Sequence, residues 1–214
     1  LFLMCGIAGI WLINSSPEPE IRGALNEMVK AISHRGPDDS GIWTNEKTAI
    51  GLGHRRLSIL DLSDAGHQPM TSKSGRYVIV FNGEIYNHLN LRKQLEVENC
   101  LNGKWKGLSD TETLLEAIDS WGLKKTLGHV SGMFAFALWD KERKKLLLAR
   151  DHFGEKPLYW GFIPGYGIVF ASDLVAIRTI KKIPIRISKA AVEAYQHLGC
   201  IPAPLCIYKD LQQL

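Results

Sequence analysis

Cys5 offers the most specific chemistry in this chain, because it directly follows Met4. If Met4 is the initiator, its removal leaves Cys5 with a free α-amino group. An α-amine titrates at about 7.7–8.0 and a free thiol at about 8.5, so this amine could take the thiol proton near neutral pH. Cys5 would then supply both a nucleophile and its base. Residues 1–3 precede Met4, and the mechanism requires that they be absent.

The segment around Cys5 is expected to be a buried strand, since residues 5–13 are apolar and rich in small side chains. A cysteine in such a strand is more often a packing residue than a nucleophile, so Cys5 alone is a weak signal. The other cysteines, Cys100, Cys200 and Cys206, match no zinc or redox spacing. We therefore interpret all four as unpaired thiols of a cytoplasmic protein.

The first half of the chain mixes predicted strands, helices and loops around Cys5. Residues 21–32 carry apolar side chains at helical spacing, whereas residues 34–41 are rich in turn formers and predict a loop. Residues 48–60 are typical of a strand pair or a bent strand. Residues 77–81 predict a strand that ends at the turn signal Asn82-Gly83.

Two further helices and several strands follow. Asn87 can cap a short leucine-rich helix, and Ser109 with Glu112 resembles a capping box for a helix that Gly122 should end. The strands predicted in the second half cover residues 133–139, 145–149, 158–162 and 168–171.

The pattern changes from Asp173 onward. A short helix, a strand over residues 184–187 and a second helix lead to the proline-rich residues 199–204, which we interpret as a linker.

The composition is typical of a globular protein, with 45% hydrophobic and 22% charged residues. The 214 residues are enough for one substantial core. The net charge of +4 is mild, and the densest basic stretch, residues 141–145, reads as a solvated hairpin tip, so we expect no nucleic-acid partner. No apolar run is long enough to cross a bilayer, so we expect no membrane partner either.

Several motifs stand in a fixed order along the chain, and the ordered set is specific although each motif alone is weak. They are Met4-Cys5-Gly6-Ile7-Ala8-Gly9, His34-Arg35-Gly36-Pro37-Asp38, Arg56-Leu57-Ser58-Ile59, Phe81-Asn82-Gly83-Glu84-Ile85-Tyr86-Asn87, Ser109-Asp110-Thr111-Glu112, Gly132-Met133-Phe134-Ala135-Phe136, Arg150-Asp151-His152-Phe153-Gly154 and Lys156-Pro157-Leu158-Tyr159. Together they strongly resemble the N-terminal glutaminase domain, a class II glutamine amidotransferase domain, of glutamine-hydrolysing asparagine synthetases and asparagine-synthetase-like proteins. The resemblance covers nearly the whole chain.

This resemblance implies an α+β fold of the N-terminal-nucleophile hydrolase type, a four-layer αββα sandwich with two stacked antiparallel sheets. The predicted elements are compatible with that fold but would not select it alone. The resemblance also implies that residues 5–172 form the amidotransferase domain and that residues 173–214 form an extension and linker toward a synthetase domain. Residues 1–4 would be a leader or a cloning remnant.

The resemblance further implies a glutamine-binding pocket whose residue types suit the substrate. Arg56 matches the residue that binds the α-carboxylate, for which a guanidinium offers two parallel hydrogen bonds. Asp110 matches the residue that binds the α-ammonium through an ionised carboxylate. The pocket is also expected to include Glu84 and the residues Leu57, Ser58, Ile59 and Leu60.

Catalysis is implied for Cys5, Asn82 and Gly83. The Asn82 side-chain amide and the Gly83 backbone N–H match an oxyanion hole, where losing one donor typically costs ~10²–10³ in rate. Glycine at position 83 also lets the backbone approach the substrate closely. The implied sequence is attack by Cys5 on the γ-amide, loss of ammonia, and hydrolysis of a γ-glutamyl thioester by water.

The same residues have structural explanations. Asn82-Gly83 is a turn in most proteins that contain it, Asp110 could help Ser109 to cap a helix, and Arg56 could be a surface charge. The ordered motifs favour the functional roles. Five other polar residues are interpreted as loop architecture or structural histidines: His34, Arg35, Asp38, His54 and His152.

The chain itself is expected to bind L-glutamine and no metal or cofactor. The sequence has neither a Ser-Gly-Gly-x-Asp-Ser pyrophosphate motif nor a Walker-type loop. ATP, Mg²⁺ and the ammonia acceptor, an acyl-adenylate of aspartate, would therefore belong to a covalently linked synthetase domain of a longer protein. A homodimer is one assembly open to that protein.

Two alternatives stay open on sequence alone. The ammonia could amidate a sugar carboxylate in polysaccharide synthesis, because the acceptor binds outside this domain. The domain could also be a non-catalytic relative. A glucosamine-phosphate synthase is disfavoured, because that family usually has tyrosine where this chain has Pro37.

Overall fold

The computed structural model describes residues 4–13, 18–58, 63–100 and 103–214. The strands of this part of the chain are β1 (Gly6–Leu12), β2 (Asp39–Asn45), β3 (Ile50–Arg56), β4 (Met70–Thr71), β5 (Tyr77–Ile85), β6 (Gly132–Asp140), β7 (Lys145–Arg150), β8 (Tyr159–Ile163), β9 (Gly167–Ala171) and β10 (Gln212–Gln213). The α-helices are α1 (Glu18–Ala31), α2 (His88–Val97), α3 (Asp110–Trp121), α4 (Leu123–Leu127), α5 (Leu174–Arg178) and α6 (Lys189–Leu198).

Two antiparallel sheets form the centre of the fold. One sheet has six strands in the order β10-β8-β9-β1-β3-β2, and the other has four in the order β4-β5-β6-β7. Helices α1 and α5 cover the outer face of the larger sheet, and α2, α3 and α4 lie on the outer side of the smaller one. This is the predicted four-layer α+β arrangement.

The apolar run of β1 follows from its position between two layers. Ile7 packs in the core between the sheets, while Ala8 and Ile10 face the core shared with α1. Strand β6 is divided in the same way, with Phe136 toward the helices and Ala137 toward the other sheet. Strands buried on both faces lose the polar alternation that marks a half-exposed strand.

The helices predicted at residues 21–32 and after Ser109 are present as α1 and α3, and each buries one apolar face. Ile21, Leu25 and Met28 of α1 are fully buried against the six-stranded sheet. Leu114 and Ile118 of α3 pack against β5 and β6. The outer layers therefore cover the apolar faces that the sheets would otherwise expose.

Two predictions about strand limits were wrong. Asn82-Gly83 is not a turn, because β5 continues to Ile85 and stays paired with β6 along its length. The loop predicted for residues 34–41 ends at Asp38, since the next three residues pair with β3 as the start of β2. For residues 48–60, a strand pair or one bent strand was predicted, and the described positions 48–58 contain the single strand β3.

The predicted helix caps are only partly formed. The Asn87 side chain makes no capping bond to α2; it donates to the His129 carbonyl at 2.8 Å instead. Ser109 does cap α3 by accepting the Thr111 N–H at 3.1 Å. Glu112 accepts from the backbone N–H groups of residues 106 and 107 rather than completing a capping box.

The last part of the chain packs back on the sandwich. Helices α5 and α6 form as predicted, but residues 184–187 do not form a strand; only Ile187 makes an isolated bridge, to Tyr208. Gln212 and Gln213 pair with β8 at the edge of the six-stranded sheet. The domain boundary after residue 172 stays a prediction.

Candidate functional site

An open cavity of about 460 Å³ lies between the ends of β1 and β3, the second half of β5, and the start of α3. It brings together seven of the ten predicted site residues, which come from distant parts of the sequence. These residues are Cys5, Arg56, Leu57, Asn82, Gly83, Glu84 and Asp110.

Cys5 is half-buried immediately before β1, and its thiol lies against the residue that follows β3. The Leu57 N–H donates to Sγ at 3.3 Å, and the thiol contacts the Leu57 carbonyl at 3.6 Å. Arg35 Nε donates to the Cys5 carbonyl at 3.1 Å. These contacts fix both the side chain and the backbone of Cys5 at the cavity.

The surroundings of Cys5 keep its thiol protonated at neutral pH. Burial, the largest influence, raises the pKa of the thiol above its ordinary value. The Leu57 N–H lowers this pKa, and the Asp110 carboxylate raises it. The cations Arg56 and Lys156 lower it, but the net shift is upward. Because the thiolate is the nucleophilic form, Cys5 needs a base to become reactive.

The Asn82 side chain offers a donor at the cavity. It is buried, and its Nδ2 has no hydrogen-bond partner among the described residues. A buried unpaired donor typically costs about 1–3 kcal/mol, so such groups are rare without a purpose. Asn82 lines the cavity, so a bound carbonyl oxygen that reached Nδ2 would satisfy this amide.

The Gly83 N–H points away from β6 and toward the same side as the cavity. Phe81 and Ile85 donate their N–H groups to Gln68 Oε1 and Asp110 Oδ2, not to β6. Alternate residues of an antiparallel strand direct their N–H groups to the same side. Gly83 lies midway between these two residues, so its N–H lies between Gln68 and Asp110.

Glycine is required at position 83 by the close approach of β6. A Cβ atom there would lie 2.3 Å from the Met133 carbonyl oxygen and 2.7 Å from Phe134 Cα. Both are backbone atoms, which cannot move aside as a flexible side chain could. Any larger residue would therefore push β5 from β6 and move the donors of Asn82 and Gly83.

Asp110 is the first residue of α3, and its carboxylate faces the cavity. Oδ2 accepts the Ile85 N–H at 2.9 Å and Oδ1 accepts the Thr111 N–H at 2.8 Å. Burial, the largest influence, raises the pKa of Asp110 above its ordinary value, although both N–H groups and His88 lower it. The carboxylate keeps lone pairs for a further donor.

Arg56 ends β3 and its guanidinium is held at the cavity by residues 63–66. Nη1 donates to the Ser63 carbonyl at 3.0 Å. Gly66 gives the group room, since a Cβ at that position would lie 2.0 Å from Nη2 of Arg56. A cation and a carboxylate, Arg56 and Asp110, thus line the same cavity as the thiol of Cys5 and the residue Asn82, whose amide Nδ2 is unpaired among the described residues.

The sequence model of the glutamine amidotransferase domain family matches residues 4–214. The chain belongs to this family. The cavity just described is therefore a candidate active site of a class II glutamine amidotransferase domain.

Several relatives are similar over almost the whole chain. A Methanocaldococcus jannaschii protein, provisionally named glutamine-hydrolysing asparagine synthetase 2, is 39% identical over 99% of this chain and 42% of its own length. Glutamine-hydrolysing asparagine synthetase 3 of Bacillus subtilis is 34% identical, covering 99% of this chain and 33% of that protein. Glutamine-hydrolysing asparagine synthetase 1 of Bacillus subtilis is 36% identical, and the match covers 94% of this chain and 30% of that protein. The chain thus spans less than half the length of these relatives.

A solved structure shows the same fold. The glutamine phosphoribosylpyrophosphate amidotransferase from B. subtilis, complexed with ADP and GMP, matches 81% of this chain and 43% of that chain with a TM-score of 0.65. The sequence identity is 22%. The predicted N-terminal-nucleophile hydrolase fold is confirmed.

Three predicted residues of this amidotransferase domain are not placed at the cavity. Ser58 is not among its lining residues, and the Ser58 N–H donates to Asp38 Oδ2 at 2.8 Å. Ile59 and Leu60 lie outside the described residues. Their assignment to the substrate pocket stays a prediction.

The residues interpreted as architecture do hold parts of the domain together. Arg35 donates to the Cys5 carbonyl, and Asp38 contacts the segment after β3. His34 lies 3.7 Å from Asp173. His54 is fully buried and contacts the Phe81 carbonyl, whereas His152 is exposed.

Several residues that line the cavity were missed from the sequence. Lys156 lay in a recognised motif without an assigned role; its Nζ is 3.2 Å from Met4 Sδ. Gly66 and Gln68 carried no signal, because both act on neighbouring groups through packing or backbone contacts that spacing does not reveal. The other missed lining residues are Met4, Phe81, Ser109, Thr111, Met133 and Glu155.

The described parts of the chain contain neither a metal-binding cluster nor a membrane-spanning helix. Within residues 4–13, 18–58, 63–100 and 103–214, no three His, Cys, Asp or Glu side chains form a group that could hold a metal ion. No helix in the same ranges has the length and apolar composition to cross a membrane.

Proposed function

We propose that this domain hydrolyses glutamine to glutamate and ammonia, with Cys5 as the nucleophile. One observation carries the proposal: the same cavity is lined by Cys5, by Asn82 with its unpaired amide, and by Gly83, whose N–H points away from β6. A nucleophile beside two such donors is the arrangement that acyl transfer from an amide needs.

Glutamine would be oriented by its two charged α-groups. Arg56 binds the α-carboxylate, Asp110 binds the α-ammonium, and Glu84 adds a second acceptor near Asp110. Both Arg56 and Asp110 are largely buried, so each contact to the substrate is shielded from water. The γ-amide then extends toward Cys5.

The reaction begins when the α-amine of Cys5 takes the thiol proton. The thiolate attacks the γ-carbon, and the oxyanion accepts hydrogen bonds from Asn82 Nδ2 and the Gly83 N–H. The carbon–nitrogen bond breaks, and the proton held by the amine leaves with ammonia. Water then cleaves the γ-glutamyl thioester, which releases glutamate and restores the thiol of Cys5.

The proposal for the reaction of the whole, longer protein rests on its relatives. Because those named as asparagine synthetases are more than twice as long as this chain, we propose that a linked synthetase domain uses ATP and Mg²⁺ to activate aspartate for the ammonia. Residues 5–172 would be the amidotransferase domain and residues 173–214 the connection to that synthetase domain. A reactive free thiol and an ATP-dependent partner reaction suit the cytoplasm. A homodimer is compatible with this proposal.

The covalent intermediate gives the test of this function. Protein starting at Cys5 is mixed with isotopically labelled glutamine, quenched in acid, and digested for mass spectrometry. We expect the labelled γ-glutamyl group on the Cys5 peptide. Cys206→Ala, which changes a buried cysteine outside the cavity, is the matched control and should keep the adduct. Turnover without label on Cys5, or label on another residue, would contradict the proposal.

A further inference from the structure

Both backbone groups of Phe81, the residue before Asn82, are held by buried side chains. Gln68 Oε1 accepts the Phe81 N–H at 2.7 Å, and His54 Nε2 lies 3.0 Å from the Phe81 carbonyl oxygen. Strand β4 pairs with β5 only at Ile79 and Val78, so it ends before Phe81. The two side chains occupy the hydrogen-bonding positions that a longer β4 would supply.

Gln68 also connects β5 to the start of α3. Its Nε2 donates to Thr111 Oγ1 at 3.3 Å. The neighbouring Asp110 accepts the Ile85 N–H at 2.9 Å. Two side-chain bridges therefore run from β5 to the first turn of α3, one on each side of Gly83.

His54 must act as a donor in this arrangement. A carbonyl oxygen only accepts, so Nε2 of His54 carries the hydrogen, and its Nδ1 has no partner among the described residues. Full burial lowers the pKa of His54 to about 4, so the ring is neutral near neutral pH. The ring extends from β3 across the interface between the two sheets to β5.

We infer that Gln68 is a positioning residue for the oxyanion donors: by holding Phe81, with help from His54, it fixes Asn82 and Gly83 relative to Cys5. The inference rests on the proposed glutaminase function. Gln68 lines the cavity but is placed to act through β5. A simple packing role would not require both ends of its amide to be paired across two elements.

The expected effect is mainly on the chemical step. Gln68→Met keeps the side-chain length but removes both hydrogen bonds, so the segment carrying Asn82 and Gly83 loses its constraint. Displacements of about 1 Å at a catalytic group can cost about 100-fold in rate. We expect kcat to fall about 10- to 100-fold while KM for glutamine changes less than about 3-fold.

The experiment compares four proteins that start at Cys5: wild type, Gln68→Met, Asn82→Ala and the double variant. Because Gln68 is inferred to position Asn82 as well as Gly83, Gln68→Met should lower kcat clearly less in the Asn82→Ala background, where only the Gly83 N–H is left to displace, than in wild type. A merely structural role would give the same loss in both backgrounds. Gln94→Met on α2, which removes the bond to Glu98, is the matched control and should keep wild-type kcat.

A second pair of variants covers the case in which Gln68→Met does not fold. His54→Gln retains an N–H that can reach the Phe81 carbonyl, whereas His54→Leu does not. We expect kcat to be at least about 5-fold lower for His54→Leu than for His54→Gln. Equal kcat for the two would overturn the inference.

These experiments distinguish failure of the positioning role from failure of the proposed glutaminase function. An inactive wild type overturns the proposed function and, with it, the positioning role of Gln68. An active wild type with a fully active, folded Gln68→Met overturns the positioning role alone. If the losses of kcat from Gln68→Met and Asn82→Ala are fully additive in the double variant, the positioning role is likewise overturned.

Discussion

The Sγ atom of Cys5 lies 3.3 Å from the backbone nitrogen of Leu57, whose N–H donates to it. This contact ties the thiol to the residue that follows β3 and to the adjacent Arg56. One N–H donor does not offset the burial of the thiol, whose pKa stays above its ordinary value. The position of Cys5 thus favours a fixed but protonated thiol that depends on a base.

The reactivity of Cys5 should therefore depend on a free α-amine. In protein that retains Met4, the raised pKa predicts that Cys5 will be alkylated with a higher pH midpoint than an exposed thiol. Peptide-resolved mass spectrometry after iodoacetamide treatment at a series of pH values measures it. The exposed Cys200 is the internal control. A Cys5 midpoint below that of Cys200 would show that the site activates the thiol without an amine.

Arg56→Ala should weaken glutamine binding more than it slows turnover. A charged bidentate contact is worth about 1.5–3 kcal/mol, so we expect KM to rise about 10- to 100-fold. The neighbouring Arg55→Ala is the matched control, because Arg55 contacts the carbonyl of Gly36 and does not line the cavity. Steady-state glutaminase kinetics measure both. Unchanged saturation in Arg56→Ala would rule out the assigned role.

Asp110→Asn tests recognition of the α-ammonium group. The amide replaces an ionised acceptor, so the preference for glutamine over glutaramate, which lacks the α-amino group, should fall about 10-fold or more. Asp119→Asn on the same helix is the control, since Asp119 contacts Ser74 outside the cavity. The ratio of kcat/KM for the two substrates is the measurement. A ratio equal to wild type in Asp110→Asn would remove Asp110 from ammonium binding.

His54 should make stability depend on pH in a defined direction. Its folded pKa, lowered to about 4 by burial, lies below the ordinary value of about 6.5. The unfolded chain therefore binds more protons as pH falls, and the free energy of unfolding should drop through the window from about 6.5 to about 4. Between about pH 7 and about pH 5 this one group should contribute a loss of about 2 kcal/mol.

Urea unfolding of wild type and His54→Gln at these two pH values isolates that contribution. Glutamine does not titrate, so the stability of wild type relative to the variant should fall as the pH is lowered. If the free energy of unfolding of wild type relative to His54→Gln instead rises as the pH is lowered, the His54 ring is charged in the folded state.

The ordered motifs predicted the candidate site better than local patterns predicted its elements. Cys5, Arg56 and Asp110 lie far apart in sequence, yet all three line one cavity. Asn82-Gly83 was expected to be a turn on local grounds. Pairing with β6 on one side, and on the other side the contacts of the flanking Phe81 and Ile85 to Gln68 and Asp110, keep this dipeptide extended. Such tertiary contacts override local propensity.

What the sequence did not reveal depends on partners distant in the chain. Strand β2 begins with Asp39, Ser40 and Gly41, which lack the alternation of a strand and become one through pairing with β3. Gln68 acts on a backbone N–H of another element, so no spacing of side chains marks it. Its role could be recognised only once β5, β4 and α3 were placed together.

The glutaminase rate of the chain beginning at Cys5 tests the central claim most directly. Equal amounts of glutamate and ammonia should form from glutamine, and the same chain with Met4 retained should be strongly impaired because it lacks the α-amine. Cys5→Ala, made in the chain that begins at residue 5, should be inactive. Equal rates for the Cys5 and Cys5→Ala proteins would contradict the account, because the nucleophile would then lie elsewhere.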